Sequence, residues 1–201
     1  LGKIAIVATE MLETMMENNR PKRAETSDIA NAVFDGTDAV MLSGETTIGK
    51  HPVETVAAMA NICETAEKYA EFNYSGENER VVDAQSAIAD AVVDTTKRLN
   101  AKLICAATIS GSTARVFSNL KPKATVLALV PDEKTGRRLA LIWCVYPALL
   151  PVCNSTDEVI NDGVAQAKKF VELNSGDQIV IAGGFPNTGK KTTNFMKIEE
   201  I

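Results

Sequence analysis

Apolar positions in this chain fall into two kinds of run. Short β-branched blocks alternate with longer stretches in which apolar residues recur every three or four positions. Residues 3–8 form the first block and predict a strand. Residues 10–17 predict a helix, with Met11, Leu12, Met15 and Met16 on neighbouring faces, and the run NNRPKR breaks it. Thr26 or Ser27 can cap a further helix over 28–34. There Asp28 suits the first turn, Ile29, Ala30, Val33 and Phe34 keep helical spacing, and Gly36 ends the run. Residues 39–42, all apolar, read as a fully buried strand, and Pro52 opens a long helix over 53–69.

The polar stretch EFNYSGENERVVD then interrupts the pattern at 71–83. It divides the chain into residues 1–73, a linker at 74–83, and residues 84–201. Beyond it Ala84, Ala87, Ile88, Ala91, Val92 and Leu99 mark a helix. Strands are expected at 103–107, 125–130, 149–152, 178–182 and 194–198. Helices are expected at 113–120, 134–141 and 159–173. The last is opened by the S-x-x-E box of Ser155 and Glu158 and closed by Asn174 and Gly176. This predicts a three-layer α/β domain with a mostly parallel sheet and helices on both faces. The first 73 residues give only two parallel strands, which cannot make a sheet buried on both faces. Together with an opening LGKIAIVATE that carries no start methionine, this leads us to expect a fragment of a longer protein.

Composition narrows the function classes. The 201 residues allow one domain or two, and 45% hydrophobic with 23% charged residues is ordinary for a soluble globular chain. A net charge of −5 does not fit a nucleic-acid binder, which would carry a basic stripe. No apolar run approaches the ~18 residues of a membrane span, and no signal peptide is read, so no membrane partner is expected. Cys63, Cys105, Cys144 and Cys153 form no C-x-x-C pair and read as reduced thiols of a cytoplasmic protein. His51 is the only histidine, so neither a Ser-His-Asp arrangement nor metal-ligand spacing is present.

Three places could carry chemistry. Thr9 and Ser43 follow the first two strands, and loops after parallel strands open on the same side. Their hydroxyls either converge on one ligand or cap the helices that follow. ATISGSTAR places Thr108, Ser110, Gly111, Ser112 and Thr113 between a strand and a helix. That is a cradle for phosphate, or a plain cap. AGGFPNTGKKTTN, at 182–194, could close on an anion through Lys190 or Lys191. It is not a P-loop, because Lys191 stands where Ser or Thr would bind magnesium.

VATEMLETM, RPKRAETSDIANAVFDGTDAVMLSGET and HPVETV resemble the last third of pyruvate kinase, and ATISGSTAR, WCVYPALLP and AGGFPNTGKKTTNFMKI resemble its carboxy-terminal domain. The resemblance covers essentially the whole chain. It implies that residues 1–73 are the last two βα units of a (β/α)8 catalytic barrel and that 84–201 form the regulatory domain. It implies transfer of phosphoryl from phosphoenolpyruvate to ADP, giving pyruvate and ATP in glycolysis, with Mg²⁺ and K⁺. The ligands of both ions would precede residue 1, so no metal site and no activity are expected of the chain alone. Thr9 matches the family threonine beside the enolate, and Ser43 the serine in the proton path to its carbon. Thr108, Ser110, Gly111, Ser112, Thr113, Lys190 and Lys191 would bind a phosphorylated allosteric effector. A homotetramer is implied. Glu10 departs from the family's usual glutamine, and Ile48 stands where some members have a nucleotide-contacting lysine. The effector loop lacks the tryptophan-and-arginine pattern of animal forms. The competing expectation is a non-catalytic phosphate-binding or oligomerisation module.

Overall fold

The computed structural model describes residues 2–70, 72, 83–184 and 193–201. The expected linker at 74–83 lies outside the described residues except for Asp83, which is the N-cap of a helix. The chain divides into two compact units, Lys3–Asn73 and Tyr74–Ile201, the second taking in Leu1–Gly2.

In the first unit β1 (Ile6–Ala8) pairs in parallel with β2 (Ala39–Met41), Ile6 opposite Ala39 and Ala8 opposite Met41. The expected helix over 10–17 is a single 3-10 turn, Glu13–Met16. Thr9 and Glu10 have positive φ, 73° and 53°, so the chain leaves the right-handed region before a helix can start. Helix α1 (Arg23–Phe34) begins upstream of the expected caps. Glu25 in its first turn accepts the N–H of Lys22 at 2.7 Å, whereas Thr26 turns its hydroxyl back to the Lys22 carbonyl. Gly36 ends α1 with φ 80°. Its N–H bonds to the Val33 carbonyl, and that of Thr37 to the Ala32 carbonyl, the paired bonds of a left-handed helix stop. Helix α2 (Gly44–Thr47) is one turn, and α3 (Pro52–Tyr69) carries its proline at the first position.

The strand expected to be fully buried is not. Val40 is half-buried and Met41, Ile6 and Val7 are exposed. With two strands among the described residues of this unit, only the side facing Met11, Leu12, Met15, Ile29 and Met59 is covered.

The second unit is complete on both faces. Its elements are α4 (Ala84–Leu99), β3 (Leu103–Ala107), α5 (Ser112–Asn119), β4 (Thr125–Val130), α6 (Glu133–Leu139) and β5 (Val145–Leu149). They are followed by α7 (Thr156–Phe170), β6 (Gln178–Gly183) and β7 (Phe195–Glu200). The sheet order is β5-β4-β3-β6-β7, parallel except for β7, which runs antiparallel to β6. Period-two alternation sorts the core. Ile104, Ala106, Val126, Ala128 and Val180 face Val92, Ala114 and Phe117 of α4 and α5. Leu103, Cys105, Leu127, Leu129 and Ile181 lie in the cluster that contains Ala167 of α7. Burial pushes the Cys105 thiol up to about 12, so it stays protonated and inert.

Strand β5 lies four residues upstream of its expected start at 149. Pro147 obscures it in the sequence, but β5 is an edge strand, where a missing N–H is tolerated. Strand β7 runs past its expected end, to Glu200. The only tryptophan, Trp143, precedes β5, with the Lys121 ammonium 4.9 Å from its ring centre and its carbonyl accepting from the Ser118 hydroxyl at 2.6 Å.

Candidate functional site

Parallel pairing puts the carboxyl ends of β1 and β2 side by side, one strand spacing apart. Thr9 is the residue after β1, and Ser43 lies two after β2. Thr9 is β-branched and exposed, yet holds φ at 73°. That conformation is costly for such a residue and clusters at functional sites. Its hydroxyl donates to the Ala8 carbonyl at 2.6 Å and caps no helix. Ser43 occupies the N-cap position of α2, but its side chain makes no capping bond. Its carbonyl is what holds the turn, accepting from the Thr46 and Thr47 hydroxyls at 3.3 and 3.0 Å. Neither hydroxyl is therefore consumed by helix capping.

Two carboxylates that the sequence analysis did not single out organise this end of the unit. Glu45 is 3% exposed. Its Oε1 accepts the Leu12 N–H at 3.1 Å and its Oε2 the Ser43 N–H at 2.7 Å. Burial pushes its pKa up, but bonds from its own N–H and those of Ser43, Leu12 and Met11 outweigh this and hold it below the ordinary value. Glu25 accepts the Thr14 N–H at 2.7 Å as well as that of Lys22. Burial raises its pKa too, and the Thr14 and Lys22 contacts bring it below the ordinary range. The signal available in the sequence was a carboxylate two or three places into a helix, the usual place for one that turns back to a free N–H.

In the second unit the sheet order reverses between β3 and β6, and the crevice at such a switch point is where open α/β sheets take ligands. The loop after β3 leads into α5 there. Thr108 is buried and accepts the Gly111 N–H at 3.0 Å. Gly111 has φ 87°, and a Cβ on it would lie 2.8 Å from Leu139 Cδ2. Thr113 is buried and shares a 2.8 Å hydrogen bond with the Thr193 hydroxyl. Ser110 is exposed and Ser112 half-buried, and they bond to each other at 3.1 Å. The loop thus uses Thr108 and Thr113 internally and presents Ser110, Ser112 and the free N–H groups of α5. Lys190 and Lys191 lie outside the described residues. Among the described residues, no three His, Cys, Asp or Glu side chains come together as a metal site. No helix there is long and apolar enough to cross a membrane.

These features define a pair of parallel βα units followed by a mostly parallel three-layer α/β domain. Residues 86–199 match the family model "Pyruvate kinase, alpha/beta domain", and residues 1–56 match "Pyruvate kinase, barrel domain". The chain belongs to the pyruvate kinase family. It is 44% identical over its full length to a pyruvate kinase of Staphylococcus epidermidis, of which it spans 35%. It is 42% identical to one of Clostridium acetobutylicum, of which it spans 43%. A crystal structure of a pyruvate kinase from Cryptosporidium parvum superposes with a TM-score of 0.87 at 35% identity. That match covers 99% of this chain and 40% of the other.

Proposed function

We propose that the chain is the carboxy-terminal part of a cytoplasmic, homotetrameric pyruvate kinase that acts in glycolysis. The supporting observation is Thr9, held at positive φ with an exposed hydroxyl that caps nothing, at the end of a strand whose parallel neighbour leads into Ser43. In the reaction the phosphorus of phosphoenolpyruvate is transferred to a terminal oxygen of ADP. The bond to the enol oxygen breaks, and the enolate left behind takes a proton on carbon to give pyruvate. Thr9 Oγ1 turns from the Ala8 carbonyl to donate to the substrate as negative charge develops. Ser43 Oγ lies in the path by which the proton reaches the carbon.

Mg²⁺ and K⁺ would supply charge neutralisation to the phosphates. The buried Glu45 is not available to either ion, because both its oxygens are taken up by backbone N–H groups. Their ligands belong to the part of the relatives' length that this chain does not span. In the second unit, Ser110, Ser112 and the α5 amino end would receive a phosphorylated effector, with Lys190 or Lys191 adding charge. Domain limits of 1–73 and 84–201 go with this reading.

The test joins residues 1–201 to the upstream part of the Staphylococcus epidermidis relative and couples pyruvate release to lactate dehydrogenase. The joined protein should turn over phosphoenolpyruvate and ADP, and the 201-residue chain alone should not. Thr9→Val in the joined protein should lower kcat roughly 10²-fold with the fold intact. A folded joined protein without turnover would refute the assignment.

A further inference from the structure

Glu45 is buried at 3% exposure, and among the described residues its carboxylate meets no cation. Its two oxygens go to different segments of chain. Oε1 takes the N–H of Leu12, three residues beyond Thr9, and Oε2 takes the N–H of Ser43 itself. We propose that Glu45 is a positioning residue, fixing the segment that carries Thr9 against the turn that carries Ser43; the proposal rests on the reading of those two hydroxyls given above.

Three further observations carry this. The segment that carries Thr9 has no regular hydrogen bonding to hold it, since β1 ends at Ala8 and the next helical turn starts at Glu13. The rest of the Thr9 segment is held at two more points, the Thr14 N–H by Glu25 and the Met16 carbonyl by the Lys50 N–H at 2.8 Å. And the chain just after α2 is drawn close to it, because a Cβ on Gly49 would lie 3.2 Å from Met16 Cα. Two separate N–H donors require two acceptors. A carboxylate supplies both, whereas an amide offers one acceptor and turns an NH2 toward the other donor. Glu45 therefore acts through Thr9 and Ser43 and touches neither hydroxyl.

A double-mutant cycle in the joined protein tests it. Glu45→Gln should lower kcat about tenfold while KM for phosphoenolpyruvate stays within about twofold. In the Thr9→Val background the same change should cost little more, since the hydroxyl it positions is already gone. Wild-type kcat in Glu45→Gln, or losses that multiply in full, would overturn the proposal. Should Glu45→Gln not fold, amide NMR of the wild-type joined protein decides: the Leu12 and Ser43 N–H signals should titrate with one shared midpoint, below that of an ordinary glutamate. Separate midpoints, or none, would overturn it. An inactive wild-type joined protein refutes the pyruvate kinase reading instead, and the same NMR titration then still decides whether Glu45 joins the two segments.

Discussion

Glu25 and Glu45 tie the first unit together through backbone N–H groups at Lys22, Thr14, Leu12 and Ser43. Both pKa values are held down in the folded chain. Such groups contribute stability that is present above the ordinary glutamate range and lost as pH falls through the folded value. Replacing Glu45 by Gln leaves one buried N–H unpaired, at a cost of about 1–3 kcal/mol near neutral pH. Urea denaturation of the joined protein should show that cost, and the gap to wild type should close on acidification below the folded pKa of Glu45. A gap independent of pH would mean that shape, not charge, matters at this position. These two glutamates were also the hardest residues to read from sequence. Thr9 and Ser43 stood out because they end apolar runs. A carboxylate in a polar turn looks solvated until the fold brings Leu12 to it, and Leu12 is 33 residues away.

At the level of elements, legibility followed how far each element's reasons lay along the chain. Helix α4 and strands β3 and β4 matched expectation at both ends, because cap, periodicity and stop are all local. Strand β5 was misplaced since an edge tolerates Pro147, and being an edge is a property of the sheet. The start of α1 was misplaced since Lys22 is no ordinary cap and Glu25 does the capping from inside the helix. The short helix expected at residue 10 failed on two positive φ angles that no composition announces. The β3–α5 turn offers a test at this scale. Gly111 is left-handed and abuts Leu139, so Gly111→Ala should destabilise the second unit by about 1–3 kcal/mol. It should also move Ser110 and Ser112, weakening any phosphate affinity there. Thermal unfolding and calorimetry with fructose phosphates would measure the two effects; an unchanged midpoint would contradict the packing described.

For the whole molecule, the two units differ in how completely they bury themselves. The sheet of the second has helices on both faces, and that of the first leaves Ile6, Val7 and Met41 in solvent. A chain beginning at Asp83 should therefore fold alone with one cooperative transition, whereas residues 3–70 should not. Circular dichroism of the two pieces settles this, and a sharp transition in the shorter piece would refute it. That two parallel strands alone cannot be covered on both faces was legible in the sequence, but which apolar positions of β1 and β2 stay exposed was not, since 39–42 reads as a buried strand.

Trp143 sits in the second unit beneath the Lys121 ammonium, and the first unit has no tryptophan. Indole emission therefore reports on one unit alone. Loss of the first unit's structure would pass unseen by fluorescence while removing ellipticity from α1 and α3. Apparent two-state melting by emission alone is thus a statement about one unit, and the two probes need not agree on a midpoint.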